Sequence, residues 1–279
     1  MSSDQRTVES KPPQDRRPLK TRSWRVFQAT ATWLAESGVS PNAISVASIL
    51  FAMLGAIGFW ITQLGASENN VELTQTFSNE LMYRLGWLLA VIGIQLRLIA
   101  NLLDGMVAVE GGRASATGPL YNEVPDRISD PILIIAAGYA ATGDPVAGWA
   151  ATACALLVAY VRAIGASVGA GQLFLGPMAK QQRMALLTLV SAIALLTPAS
   201  WTWLHWGPTR IGLMQLALWL IVAGCIVTVV RRLRAIAHQL RDQSTNQATS
   251  NPPNTTSSPN TTSSPYTTSS PTAEHREPR

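Results

Sequence analysis

Long apolar runs constrain this chain more than any other feature. Crossing a bilayer takes about 20 mostly apolar residues, and six stretches answer to that description: 42–65, 82–108, 118–142, 146–168, 184–198 and 210–231. The fifth is short for a span and has room to start earlier. Within lipid, backbone polar groups must be satisfied inside a helix or a closed barrel. Runs of this length therefore predict an all-α membrane protein with six transmembrane helices. Composition agrees: charged residues make up only 13% of the chain, against roughly a quarter in a soluble domain. Nine Trp is a high count, and Trp concentrates where membrane meets water. Gly and Ala are frequent within the runs, which lets helices approach closely.

The flanks are of a different kind. Residues 1–22 are polar, charged and Pro-containing, and are expected to be a disordered cytoplasmic N-terminus rather than a cleavable signal. Residues 23–37 read as a short amphipathic interfacial helix, with Trp24, Phe27 and Leu34 on the face that would lie in the membrane surface. Ser40-Pro41-Asn42 opens the first long run, with Ser40 as cap and Pro41 at the first helical position. The six-helix domain is taken as 23–241. From 242 to 279 the chain is rich in Ser, Thr, Pro and Asn, with NTTSSP at 254 and 260 and YTTSSP at 266, and is expected to be disordered.

The formal net charge of +5 is carried beside the apolar runs, so it speaks for membrane orientation and against a nucleic-acid partner. Arg6, Lys11, Arg16, Arg17, Lys20, Arg22 and Arg25 precede the first run. Arg113, then Lys180 and Arg183, then Arg231, Arg232, Arg234 and Arg241 fall on the same side if there are six spans. Only Arg84 and Arg210 fall opposite. The positive-inside rule then places both termini in the cytoplasm, in a bacterial inner membrane. His205 and His238 read as interface residues, and Cys154 and Cys225, both within apolar stretches, show no disulfide or zinc spacing.

Charge inside a span is costly and usually functional. Here it is concentrated at one place. Arg97, Asn101 and Asp104 share a face of the second run, and Asn122, Asp126 and Asp130 share a face of the third, with Glu123 on the same side as the two acids. A short connection makes the two helices antiparallel neighbours, and Gly105 and Gly118 allow a backbone or ligand to come close. Carboxylates and amides on facing helices form a hard-oxygen site that suits Mg²⁺ or Mn²⁺ rather than zinc. Arg162, Lys180 and Arg183 add groups that grip phosphate. An inert polar network explains any one of these residues more easily than six acids and amides at one depth. Tyr121 and Ser129 lie close enough in sequence to belong to the site.

The stretch from Asn101 to Asp126 resembles the signature of the CDP-alcohol phosphotransferases, Asp-x2-Asp-Gly-x2-Ala-Arg-x8-Gly-x3-Asp-x3-Asp. Asp104, Gly105, Ala108, Gly118 and Asp126 match by identity, and Ser40-Pro41-Asn42 is similar to the family's usual opening. The resemblance covers about 23–235. It implies a six-helix membrane transferase that moves a phosphatidyl or other substituted phosphate group from a CDP-alcohol, such as CDP-diacylglycerol, to an acceptor alcohol, releasing CMP in phospholipid biosynthesis. It implies metal binding at the positions of Asn101, Asp104, Asn122 and Asp126, with Asp126 also the base. It implies substrate contacts at Gly105, Ala108 and Gly118, and leaves a homodimer open. Three positions depart from the pattern: Asn101 and Asn122 stand where Asp belongs, and Val109 where Arg belongs. Glu123 and Asp130 are expected to make up the lost charge, and Arg113 the lost Arg. Two rival readings of the same residues are a family relative without catalysis that binds lipid or assists assembly, and a cation or solute transporter. Retention of Asp104, Gly105 and Asp126 speaks against the first. The position of the cluster at helix ends rather than the midplane speaks against the second.

Overall fold

The computed structural model describes residues 24–65, 73–110 and 117–250, and every statement below concerns these. The expectations for 1–22, for Arg113 and for the tail beyond Ser250 fall outside them. The described chain is mostly helical. A short helix α1 (Arg25–Glu36) is followed by α2 (Pro41–Gly65), α3 (Leu73–Glu110), α4 (Gly118–Gly138), α5 (Pro145–Ser167), α6 (Lys180–Leu196) and α7 (Leu213–Ser250). Between α6 and α7 lie a 3-10 turn (Ala199–Thr202) and an antiparallel hairpin of β1 (Trp203–Trp206) and β2 (Thr209–Gly212). The unit that carries the site ends at Leu240. A second unit begins at Arg241, and its described part is helical.

Local chemistry sets several helix starts. The Ala43 N–H donates to Ser40 Oγ at 3.2 Å, so Ser40 caps α2 with Pro41 in the first helical position, where its missing N–H costs nothing. Asp144 does the same for α5, accepting from the Val146 N–H at 3.1 Å ahead of Pro145. α4 contains Pro125 and Pro131, each of which removes an N–H from the helical ladder on either side of Asp126–Asp130.

α3 is the spine of the bundle. It packs against α1, α2, α4 and α6, while α2 also meets α4, and α4 meets α5. Glycines set the α2–α3 distance: a Cβ built on Gly58 would lie 2.4 Å from the Ala90 backbone nitrogen, and one on Gly93 2.3 Å from that of Gly55. Backbones that close gain dispersion contacts that larger residues would forbid. Below this crossing Phe59 and Trp87 meet edge to face at 5.9 Å, and Leu133, Met184, Leu187, Leu218 and Ile221 complete the core. The outer faces are equally apolar. Leu50, Ile57, Trp60 and Leu64 on α2, and Leu216, Leu220 and Ile226 on α7, are exposed, as suits a surface solvated by lipid.

Four helices are long and apolar enough to cross a membrane: Pro41–Gly65, Ser78–Ala108, Pro145–Ser167 and Leu213–Thr245. α4 carries Glu123, Asp126, Arg127 and Asp130, and α6 has 17 residues, so neither meets that standard. Several boundaries differ from those read in the sequence. α3 begins at Leu73 rather than 82, and α6 at Lys180 rather than 184. The stretch around 210 is strand, because Gly207 (φ 60°) lets the Trp-rich segment turn back on itself before α7 starts. α7 continues through residues expected to be disordered, since Arg241-Asp-Gln is compatible with helix and no proline occurs before Pro252. On α1, Phe27 and Leu34 pack with Ala31 against Ala100, Leu103 and Val107 of α3. Trp24, Val26 and Trp33 form the exposed side instead.

Candidate active site

Two faces that the 3.6-residue period sets apart meet where α3, α4 and α6 come together. From α3, Arg97 is wholly buried and reaches both acids of α4: Nη2 donates to Asp126 Oδ1 at 2.9 Å and also to Asp130 Oδ1. From the first turn of α6, Arg183 Nη2 donates to Asp130 Oδ2 at 3.1 Å and Nη1 to the Met178 carbonyl at 3.2 Å. Lys180, the first residue of α6, donates from Nζ to Asp126 Oδ2 and to Asn101 Oδ1. Asp126 therefore has a cation on each oxygen, as does Asp130.

Asp104 is held differently. Ser45 Oγ of α2 donates to its Oδ2 at 2.6 Å. Its Oδ1 is buried and met by no side chain, and the Gly105 N–H lies against the carboxylate. Asp104 lies within electrostatic reach of Asp126 and Lys180. Leaving a carboxylate oxygen buried without a partner costs about 1–3 kcal/mol or more.

A second group stands further out. Arg162 of α5 donates from Nη2 to Glu123 Oε1 at 2.6 Å and Oε2 at 2.8 Å, and Arg127 donates to the same carboxylate. The Arg162 guanidinium also lies 5.8 Å from the centre of the Phe174 ring.

Measured against the residues singled out in the sequence, the structure brings Asn101, Asp104, Asp126, Asp130, Lys180 and Arg183 into one cluster, with Gly105 and Ala108 on the same stretch of α3. Asn122 is exposed, in the first turns of α4. Glu123 turns toward Arg127 and Arg162. Asp130 is 3% exposed and fully engaged by two guanidinium groups. Arg183 is equally buried, and its two Nη groups donate to Asp130 and a carbonyl, which is a supporting position rather than a phosphate-facing one. Ser129 is buried with no partner for its Oγ.

Two contributors were missed. Ser45 gives no signal beyond following the Ser-Pro-Asn opening, yet it orients Asp104. Arg232 looked like part of a basic exit segment, but it is buried. Its Nε donates to the Leu175 carbonyl and its Nη1 to the Val158 carbonyl, both at 2.9 Å. With the Met178 N–H donating to Thr228 Oγ1 at 3.1 Å, Arg232 ties the segment leading into Lys180 to α5 and α7. Gly176 (φ 116°) is required in that segment: a Cβ there would be 2.5 Å from Thr228 Cγ2.

No protein-family model matches the chain. Among curated proteins, a phosphatidylinositol phosphate synthase of Streptomyces avermitilis is 25% identical over 235 residues, covering 81% of this chain and 84% of the relative. An archaetidylinositol phosphate synthase of Aeropyrum pernix is 31% identical over 151 residues, covering 53% of this chain and 69% of the relative. Among solved structures, the phosphatidylinositol phosphate synthase of Mycobacterium tuberculosis with CDP-DAG bound has a TM-score of 0.53 at 17% identity, over 76% of this chain and 94% of that one. The same enzyme with manganese and citrate has a TM-score of 0.54 at 16% identity, over 75% and 88%. These likenesses establish a shared helical fold.

Proposed function

The chain belongs to the CDP-alcohol phosphatidyltransferase family, and from that premise we propose that it transfers the phosphatidyl group of CDP-diacylglycerol to an inositol phosphate and releases CMP. It is a multi-pass membrane enzyme of phospholipid biosynthesis. The donor is supported by a structure of the same fold that holds CDP-DAG. The acceptor is supported by two relatives, both named as inositol phosphate lipid synthases. Within the chain, the observation that carries the reading is Asp104, a buried carboxylate with an oxygen in reserve, beside Asp126 and Lys180.

A divalent cation fits the donor set at Asp104. The unmet Oδ1 is a hard oxygen, and the Asn101 amide oxygen one turn away is another. Asp104 is the residue that would hold Mg²⁺ or Mn²⁺, with water and substrate phosphate as its other ligands, while Asn101 and Asp126 stand beside it with their oxygens on Lys180 and Arg97. Such an ion would offset charge on the phosphoryl oxygens and on departing CMP.

The chain's own groups do the rest. The acceptor hydroxyl oxygen attacks the phosphorus of the phosphatidyl group. A new P–O bond forms, the P–O bond to CMP breaks, and the hydroxyl proton passes to Asp126 Oδ2. At rest that oxygen is engaged by Lys180, so Lys180 must turn to the phosphate of an incoming substrate before Asp126 can take a proton. Arg97 stays on Oδ1 and holds the carboxylate in place. Arg162, aimed by Glu123, receives the acceptor's phosphate at the outer rim. Arg183 and Asp130 support Arg97 from behind.

In this reading α2 to α7 are the six spans, α1 lies at the interface through Trp24, Val26 and Trp33, and the site and both termini face the cytoplasm. The test is CMP release by the purified protein from CDP-diacylglycerol with inositol phosphate, glycerol 3-phosphate, inositol or serine, with Mn²⁺ or Mg²⁺ and with a chelator. Release that needs both metal and inositol phosphate supports the assignment. Release that follows another alcohol moves the acceptor, and none with any alcohol overturns the assignment.

A further inference from the structure

Asp104, Asp126 and Asp130 share their cluster with Arg97, Lys180 and Arg183, so three carboxylates are balanced by three of the protein's own cations. The three acids are not equivalent. Asp130 has a guanidinium on each oxygen, and Asp126 has Arg97 on Oδ1 and Lys180 on Oδ2. Asp104 alone among them keeps an oxygen that no side chain meets. Lys180 Nζ lies between α3 and α4, on the Asn101 and Asp126 oxygens that a cation bridging those helices would use. The two amides at 101 and 122 bring no charge that would require a further counter-ion.

A cation binds an oxygen cluster more tightly the more ligand charge the cluster offers it. One dication at Asp104 adds two charges, which an incoming diphosphate offsets. A second would add two more and would have to displace the Lys180 ammonium from its own ligands. We infer that this chain works with one divalent cation, seated at Asp104, and that Lys180 Nζ is the second positive charge meeting the diphosphate of the donor. Arg97 and Arg183 are less suited to that part, because both are bound to Asp130 and almost wholly buried, whereas Lys180 is partly exposed. The inference rests on the transferase reading above and fixes the composition of its site.

The test counts Mn²⁺ bound per chain by electron paramagnetic resonance on the purified full-length protein in detergent. CMP release with and without chelator is measured on the same preparation. The wild type should bind one Mn²⁺. Lys180→Gln should tighten that ion roughly tenfold by removing a nearby like charge, and Lys180→Gln with Asn101→Asp should bind two. Lys180→Arg, which keeps a cation in place, should stay at one. Two ions in the wild type, or one in the double variant with its thermal unfolding intact, overturn the inference. If the double variant does not fold, the wild-type count decides. A count of two with chelator-sensitive release sinks only the single-ion inference. Release indifferent to chelator, or no bound Mn²⁺, removes the metal reading beneath it as well.

Discussion

Lys180 and Asp126 are joined across the bundle, the ammonium at the start of α6 donating to Oδ2 of the carboxylate in α4. The bond puts the residue proposed as base under direct control of the residue proposed to meet phosphate. Asp126→Asn keeps the shape and an acceptor oxygen for Arg97 but cannot take a proton. CMP release should fall about 10²–10⁴-fold, the usual worth of a positioned base. Binding of CDP-diacylglycerol, followed by tryptophan fluorescence, should stay within a few-fold of wild type. Retained turnover would take the base role away from Asp126.

Ser45→Ala tests the orientation of Asp104. Without the 2.6 Å hydrogen bond the carboxylate has no side chain fixing it. Removing a hydrogen bond behind a metal ligand typically costs 10–100-fold in affinity or activity. A rise of about that size in the Mn²⁺ concentration needed for half-maximal CMP release is expected, with little change in unfolding temperature. An unchanged Mn²⁺ requirement would mean that Asp104 is positioned by something other than Ser45.

Asp130→Ala separates support from chemistry. It leaves Arg97 and Arg183 buried without their shared counter-ion. Breaking such a pair from one side costs about 3–5 kcal/mol. Thermal unfolding in detergent should shift down strongly, and more than in Asp126→Asn, where Arg97 keeps Asp130. Equal stability of the two variants would contradict the division between a supporting acid and a working one.

Gly176→Ala acts at a distance. The position has φ 116°, and an added Cβ would press on Thr228. Strain of this kind costs about 1–3 kcal/mol and falls on the segment that Arg232 and Thr228 anchor ahead of Lys180. Activity should drop while Mn²⁺ binding at Asp104 is largely kept. Wild-type kinetics would show that the segment does not position Lys180.

The sequence carried the parts of this site that lie along single helices. Arg97, Asn101 and Asp104 on α3, and Asp126 and Asp130 on α4, were legible because spacings of three and four put side chains on one face. What joins those faces was not legible, since pairing across helices depends on tertiary packing. Nothing in the sequence says that Arg97 serves both acids of α4, or that Arg183 is turned inward to Asp130 rather than outward to phosphate. The periodicity grouped Asn122 with Asp126, and it cannot show that Asn122 is exposed while Asp126 is buried. Helix signals found the long elements but not the hairpin at Trp203–Gly212, where aromatic residues of an interface also make good strands. The α1 face holding Phe27 and Leu34 was legible as apolar. Whether lipid or α3 covers it could be settled only by the fold.

The most direct test of the account is the lipid product itself. The purified protein is given CDP-diacylglycerol, inositol phosphate and Mn²⁺, and the organic phase is weighed by mass spectrometry while CMP is counted in the aqueous phase. The account predicts a lipid carrying both acyl chains, the inositol ring and two phosphates, in one-to-one amount with CMP, and its loss in Asp126→Asn. CMP accompanied only by phosphatidic acid, or no CMP at all, would contradict it.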